Sequence, residues 1–355
     1  MYKPGGVYST SYGREIALLQ VPLEKAALGV GLLALALFPL VAGPFVMTLA
    51  IFVLIAAIGA TGIGLLLGFT GQISLAHGGF MAVGAYTAAN LGTLAGFDMI
   101  TSTVAGGLAA ALAGMFFGVP ALRNKGIYLA LTTFAGQYII LFVLYLPVLD
   151  PWTKTVKGYL MPEASVFGMP IAYERRDLFF YCFLLLCAAG ALLFVRNLLR
   201  SRIGRAFVAV RDNDIVAEML GVNIFAYKLM AFGVSAFYAG FTGAIFAYYA
   251  ESILPEHFNI FVSINYVFMV VIGGIGRLWG PVLGAVIVIL IPEGLRLLTA
   301  SVGQILPAYV IYTEQTKLII FGLIVTVLLI AEPRGVIAIW DRVKTYVQSW
   351  PYRHV

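Results

Sequence analysis

Long apolar segments fill most of the chain, and short polar stretches separate them. A helix needs about 20 apolar residues to cross the hydrocarbon core of a bilayer. Continuous aliphatic runs favour helices over a barrel, whose strands alternate between apolar and polar positions. The pattern predicts an all-α fold, a polytopic transmembrane helix bundle of about ten spans. They lie at roughly residues 26–43, 45–67, 73–95, 101–122, 127–147, 178–197, 228–250, 258–275, 280–298 and 317–332.

The composition supports a membrane protein. Of 355 residues, 61% are hydrophobic and 11% are charged, and the mean hydropathy is +0.98. Soluble domains carry about 25% charged residues, so this chain lacks a normal solvated surface. The 39 glycines suit close helix packing in lipid. The net charge of +6 comes from residues at segment ends. It therefore indicates orientation in a lipid bilayer, and no nucleic-acid partner is expected.

The basic residues predict the orientation and the domains. With a cytoplasmic N-terminal segment (1–25) that has no cleavable signal, the basic clusters fall inside. The loop at 148–177 is expected on the outer side of the membrane but carries four basic residues, so it is an exception to the positive-inside rule. A transmembrane domain is expected over 26–332 and a cytoplasmic tail over 333–355. The inside positions are Arg123, the segment 196–228, Arg277 and Arg334, whereas Glu251 and Glu256 fall outside.

A polar, glycine-rich stretch at residues 68–80 interrupts the apolar pattern between two predicted spans. Polar groups at membrane depth persist only where protein or water satisfies them. The stretch is interpreted either as the lining of a translocation pathway at a helix break or as a tight turn with one satisfied histidine. A structural histidine and a proton relay are both open for the imidazole. The candidate path residues are Thr70, Gln72, Ser74 and His77, and the candidate break residues are Gly71, Gly78 and Gly79.

A second interruption lies at residues 271–282. Interrupted segments in corresponding halves of a chain are typical of transporters built from repeats. The arginine of this stretch, Arg277, is interpreted as an interfacial anchor or a contact for a cytoplasmic partner. The candidate break residues here are Gly273, Gly274, Gly276, Gly280 and Pro281.

Several mechanisms lack support in the sequence. Glu293 and Arg296 can pair on one helix face, and the central spans carry no convincing acid or histidine for ion coupling. No Gly-Lys dipeptide occurs, so a phosphate-binding loop is absent from this sequence. Cys182 and Cys187 are five residues apart, which favours neither a disulfide nor a metal pair, and no metal site is predicted. No catalytic constellation appears, so an enzyme is not expected.

The polar segment 201–223 stands out between two apolar spans. Ser201 is placed to cap a helix that turns Ile203, Phe207 and Val210 to one face, and Asp212, Asn213 or Asp214 is placed to cap a second one. That second helix is expected to stop at Gly221. It exposes Ile215, Met219 and Leu220 among charges, which is typical of a docking surface for a soluble protein. An amphipathic helix lying on anionic lipid is the alternative.

At these residues the chain resembles the permeases of ABC importers for branched-chain amino acids, of the LivM type. The resemblance covers roughly residues 45–340. It is carried by Ser201-Arg-Ile-Gly-Arg-Ala206, Arg211-Asp-Asn-Asp214, Ala217-Glu-x-Leu-Gly-Val222, Met269–Gly276, Gly280–Ala285 and Gly71-x-x-Ser-Leu-x-His-Gly78.

The resemblance implies partners. ABC ATPase subunits, a second permease subunit and a periplasmic solute-binding protein are expected, in a bacterial-type inner membrane. ATP would be used by the partner ATPase, and this chain would hold no cofactor. The stretch Thr153–Gly158 departs from the family pattern, so amino acids, urea, short amides and small organic acids all stay open as substrates.

The resemblance also assigns the segment 201–223 to ATPase coupling. It corresponds to the Glu-Ala-Ala…Gly loop of ABC importers, although the Glu-Ala-Ala triplet itself is missing. A stand-alone ion-coupled carrier or channel and a purely structural scaffold are the alternatives. The expected coupling residues are Arg202, Arg205, Arg211, Asp212, Asn213, Asp214, Ala217, Glu218 and Gly221.

Overall fold

Helices make up most of the fold, as the hydrophobic pattern predicts. The computed structural model describes residues 31, 34–124, 126–154, 158–166, 168–305, 313–332, 334–340 and 342. Residues 34–41 are helical and precede the numbered helices. These are α1 (Pro44–Thr70), α2 (His77–Leu94), α3 (Met99–Ala121), α4 (Ile127–Leu144), α5 (Asp150–Thr153), α6 (Arg176–Arg200), α7 (Arg202–Asp212), α8 (Asp214–Met219), α9 (Ile224–Ala250), α10 (Ile260–Gly273), α11 (Gly280–Ile305) and α12 (Thr313–Ala331).

Seven helical segments among the described residues are long and apolar enough to cross a membrane, so the predicted count of ten is not confirmed. The first predicted span, 26–43, lies largely outside the described residues. Helix α2 is not among the seven because His77, Asn90 and four glycines lower its mean hydropathy. The seven are Pro44–Thr70, Met99–Ala121, Ile127–Leu144, Tyr173–Arg200, Ile224–Ala250, Pro255–Gly273 and Gly280–Leu297.

Helix α9 lies at the centre of the bundle and packs against α2 and α3. The three helices approach through glycines. A Cβ atom built on Gly106 would lie 2.5 Å from the oxygen of Gly84, and one built on Gly84 would overlap the backbone of Gly240. Without a side chain at these positions the backbones come into direct contact, which is the usual route to tight helix packing in lipid.

Helix α1 is the second central element, and it contacts α6, α9, α10 and α11. Its carboxyl-terminal half is buried by these neighbours. Pro281, in the first turn of α11, packs on Gly64 of this half. Tyr238 of α9 donates a hydrogen bond of 3.0 Å to the oxygen of Ala191 in α6. A polar hydroxyl in the bundle is therefore paired between helices, as burial requires.

The segments that the charge pattern assigned to one side lie together at one end of the bundle, called the α7 end. This end of the bundle contains residue 71, helices α7 and α8, the turn 274–279 and the segment 334–340. Arg211 contacts Gly68 and Gly276, and Val336 donates its N–H to the oxygen of Ile272 at 2.8 Å.

The opposite end carries the strands. β1 (Tyr159–Leu160) pairs antiparallel with β4 (Ser252–Ile253), and β2 (Ser165–Val166) pairs with β3 (Met169–Pro170). Arg176 forms an ion pair of 2.7 Å with Glu251, the residue that ends α9 in a left-handed conformation. The stretch Thr153–Gly158, which departs from the family pattern, lies partly outside the described residues.

Candidate functional site

The segment 201–223 forms the two short helices that its sequence predicts. The hydroxyl of Ser201 accepts hydrogen bonds from the N–H groups of Ile203 and Gly204, so it caps α7. Asn213 caps α8, because its side-chain oxygen accepts from Val216 N at 3.1 Å. The chain turns after α8 at Gly221, which has a φ of 84°. Side-chain oxygens at both N-caps satisfy backbone donors that the helices leave open.

Helix α7 is anchored to the membrane helices by its apolar face. Phe207 and Val210 are buried, and Ile203 is half-buried. The helix contacts α1, α6 and α9. Gly204 allows the tight entry into α7, since a Cβ there would lie 2.5 Å from the oxygen of Leu198 and would overlap Leu199. Because α7 packs against three membrane helices, its position is fixed, and it holds α8 in place relative to the bundle.

Helix α8 projects apolar side chains from the α7 end. The exposed fractions are 60% for Ile215, 82% for Met219 and 77% for Leu220. Glu218 is also exposed, whereas Ala217 is buried and faces the protein. Asp214 lies 3.9 Å from Lys228 of α9, so part of the charge of α8 is paired. The outer face of α8 therefore combines apolar contacts with a charged rim, as protein interfaces do.

Among the other predicted coupling residues, Arg202, Arg205 and Asp212 are exposed. Arg211 is exposed as well, but it also bonds to a membrane helix. Its Nη1 atom donates a hydrogen bond of 2.6 Å to the oxygen of Gly68 in the last turn of α1. This contact joins the segment 201–223 to the membrane helix that leads into the first break.

The first break is longer than a tight turn. Helix α1 ends where Gly71 adopts a φ of 70°, and residues 71–76 are not helical. In that break Gln72 donates to the Thr70 hydroxyl at 3.0 Å, and Thr133 of α4 accepts from Leu75 N at 3.0 Å. The Thr133 side chain thus satisfies one backbone donor of this irregular stretch.

The break returns the chain into the bundle. The ring of His77, the first residue of α2, lies 4.5 Å from the ring of Tyr266. A Cβ on Gly59 would lie 2.6 Å from the same tyrosine ring. Gly59 is about three turns, or about 16 Å, before the end of α1. Helix α2 therefore begins well inside the bundle, and the predicted span at 73–95 starts too early because residues 71–76 are not helical.

The amino terminus of α2 is held by two polar side chains that the sequence analysis missed. Gly78 N donates to the Ser263 hydroxyl at 2.8 Å, and Gly79 N donates to the side-chain oxygen of Gln137. The amide nitrogen of Gln137 donates to Phe258 O at 2.7 Å. The sequence did carry a signal for Gln137, because it is the only amide side chain in the apolar predicted span 127–147. Polar side chains inside membrane helices are costly and therefore often functional.

The candidate path residues are buried within the chain. Thr70, Gln72, Ser74 and His77 are each exposed by 6% or less. Thr70 and Gln72 lie near the end of α1, whereas His77 lies deeper beside Tyr266. The side-chain oxygen of Gln72 and Nε2 of His77 have no hydrogen-bond partner among the described residues. The six non-helical residues make the break longer than a tight turn, and the role of these four side chains in a translocation path stays a prediction.

The second break joins α10 to α11 at the α7 end. Gly274 and Gly276 lie within it and have φ values of 123° and 76°. Gly273 ends α10 and Gly280 begins α11, so these two glycines flank the second break. Gly78 and Gly79 lie in the first turn of α2 and flank the first break. A Cβ on Gly68 would lie 2.8 Å from Gly276 N. The structure thus brings the two predicted breaks into contact.

Comparison with known proteins agrees with this architecture. Residues 6–329 match the family described as "Branched-chain amino acid transport system / permease component". The high-affinity branched-chain amino acid transport system permease proteins LivM of Salmonella typhimurium and Escherichia coli are each 29% identical over 297 residues. These alignments cover 78% of this chain and 66% of the relatives, just under two thirds of their length.

A probable branched-chain amino acid transport permease protein LivM of Methanocaldococcus jannaschii is 22% identical over 250 residues, which are 67% of this chain and 68% of that protein. No solved structure matches the chain. The bundle of apolar helices is that of a multi-pass membrane protein. Because the family match extends over most of the sequence, the chain belongs to the branched-chain amino acid transport system permease component family.

Proposed function

We propose that this chain is the permease subunit of an ATP-binding-cassette importer in the inner membrane. Two such subunits, related or identical, would form the pathway, and a periplasmic binding protein would deliver the substrate. Separate ATPase subunits would hydrolyse ATP, so this chain carries no catalytic role. Family membership and the exposed outer face of α8 support this assignment.

The single observation that carries the proposal is the exposure of Met219 and Leu220 at 82% and 77% beside the exposed carboxylate of Glu218. A helix of six residues cannot bury this surface by itself. An apolar knob with a charged rim fits a groove on a soluble protein. With α8 in such a groove, the α7 end faces the cytoplasm, in agreement with the positive-inside distribution.

The proposed mechanism is alternating access. Closure of an ATPase dimer moves α8, and α7 passes the movement to the three membrane helices that it contacts. The permease pair then opens towards the binding protein, receives the substrate and reopens inward after hydrolysis. Such gating requires two arrangements of a packed interface, which rigid helices supply.

Branched-chain amino acids are the proposed substrates, because the named relatives transport them. The selection would rest largely with the binding protein. Uptake of leucine, urea, acetamide and acetate distinguishes the substrate classes. Leucine uptake alone is expected, and uptake of another compound in its place would reassign the substrate while keeping the importer.

The test is coexpression with a candidate ATPase, sister permease and binding protein, followed by reconstitution in liposomes. ATP-dependent leucine uptake is expected. Charge reversal in Glu218→Lys, combined with Met219→Ser, should weaken ATPase copurification at least about tenfold, because hot-spot residues dominate interfaces. Glu256→Lys at the opposite end is the matched control and should retain it. Uptake driven by an ion gradient without an ATPase would overturn the proposal in favour of a secondary carrier.

A further inference from the structure

Arg211 is an exposed residue whose guanidinium group is hydrogen-bonded to a membrane helix. Gly68, whose oxygen accepts its hydrogen bond, lies in the last turn of α1. The last four carbonyl groups of a helix have no partner within that helix. A cation at this position also interacts favourably with the negative end of the helix dipole. Arg211 therefore acts as a side-chain cap on the carboxyl terminus of α1.

The two helix breaks meet around the same guanidinium group. A Cβ on Gly276 would lie 2.7 Å from Nη1 of Arg211 and 3.2 Å from Gly68 O. A Cβ on Gly71 would lie 3.4 Å from Cγ of the arginine. The side chain thus occupies a junction between α7, the end of α1 and both breaks. Glycines line this junction and leave space for the guanidinium.

The junction connects the outer face of α8 to the buried polar region. Asn213, the cap of α8, lies two residues after Arg211. On the other side of the hydrogen bond, Gly68 is followed by the non-helical residues 71–76, which lead to His77 within the bundle. A contiguous set of bonded and packed groups therefore runs from the protein surface to the start of α2, as energetic coupling between distant sites requires.

We propose that Arg211 is a positioning residue that transmits movement of α8 to the end of α1 and so to the chain entering α2. It takes no part in ATPase binding. This inference rests on the proposed function, since it specifies how a docked ATPase would act on the permease. It separates two roles within the segment 201–223: Glu218, Met219 and Leu220 bind the partner, and Arg211 couples the bound partner to the membrane helices.

The experiment compares Arg211→Gln with Arg123→Gln in the reconstituted complex. Arg123 is an exposed arginine outside the segment 201–223 and serves as the matched control. Three quantities are measured: ATPase copurification, ATP hydrolysis, and leucine uptake per ATP hydrolysed. Coupling between sites typically amounts to factors of 5 to 150. For Arg211→Gln we expect copurification within about twofold of wild type and uptake per ATP reduced about tenfold.

The conservative variant Arg211→Lys should recover part of the uptake, because lysine also presents a cation and an N–H donor to the carbonyl. Hydrogen exchange of residues 66–76 should become faster in Arg211→Gln and stay unchanged in Arg123→Gln. This readout does not depend on transport. Uptake per ATP and exchange rates equal to those of Arg123→Gln would overturn the inference. Loss of the ATPase from Arg211→Gln, as in the Glu218 variant, would overturn it as well, since Arg211 would then be a docking residue.

A second variant tests the junction if Arg211→Gln does not fold. Gly276→Ala places a methyl group against Nη1 while the arginine is retained. Gly126→Ala is its control, because Gly126 has a φ of 60° and open space around its Cβ position. We expect uncoupling in the first variant and normal coupling in the second; normal coupling in both would contradict the inference. Failure of wild type to take up leucine with ATP would instead contradict the proposed function.

Discussion

The side-chain amide of Gln137 donates a hydrogen bond of 2.7 Å to the backbone oxygen of Phe258. Its side-chain oxygen accepts the N–H of Gly79 at the start of α2. One fully buried side chain of α4 therefore holds the amino terminus of α2 against the turn that precedes α10. Both backbone groups lie where water is excluded, so their pairing depends on this amide.

Replacing this amide should destabilise the bundle. Gln137→Leu leaves Gly79 N and Phe258 O without a partner, at a cost of about 1–3 kcal/mol. The melting temperature of the purified protein in detergent should fall. Tyr138→Leu, at the exposed neighbouring position, should change the free energy of unfolding by less than about 0.5 kcal/mol. Equal melting temperatures for the two variants would contradict the role of Gln137.

The opposite result is expected for His77. Its Nε2 atom is buried without a hydrogen-bond partner in the part of the chain that the structure describes, and its ring contacts Tyr266. His77→Leu removes the unpaired polar atom and keeps an apolar contact, so stability should be unchanged or higher, within about 1 kcal/mol. Thermal unfolding measured beside Gln137→Leu gives the comparison. A loss as large as that of Gln137→Leu would mean that the imidazole has a partner in the folded protein.

The glycine contact between α2, α3 and α9 should tolerate no side chain. A Cβ on Gly240 would overlap Ala110 and lie 2.8 Å from the oxygen of Gly106. Gly240→Ala forces the backbones apart and should cost about 1–3 kcal/mol. Gly190→Ala is the control, because nothing lies within 4 Å of its Cβ position. Yield of folded protein on size-exclusion chromatography should fall for Gly240→Ala alone, and an equal yield would argue against the contact.

The cap of α8 should set the affinity for the ATPase. Asn213→Ala removes the acceptor for Val216 N and costs about 1 kcal/mol of helix stability. If α8 must be helical to dock, association should weaken about fivefold, and Asn213→Asp should restore it because aspartate caps equally well. Glu256→Ala, which removes an exposed carboxylate at the opposite end of the bundle, should have little effect. Unchanged binding by Asn213→Ala would show that docking does not need the ordered helix.

Several features followed from the sequence because they depend on neighbouring residues. Apolar runs of sufficient length gave the helices α1, α3, α4, α6 and α9 to α11. Ser201 was predicted as a cap and Gly221 as a helix stop, because these functions involve residues only a few positions away. The second cap was narrowed to Asp212, Asn213 or Asp214, and the structure selects Asn213. The exposed outer face of α8 was predicted for the same reason.

The tertiary structure alone decided what the polar residues contact. Gln137 reaches Gly79 and Phe258 across long sequence separations, and Arg211 reaches Gly68 on another helix. Charge and periodicity placed Arg211 on a polar segment and could not show that its guanidinium group bonds to the end of α1. The sequence determined which segments enter the membrane, since transfer into lipid depends on each segment's own composition. Only the folded chain determined which buried polar groups are paired, because their partners come from other helices.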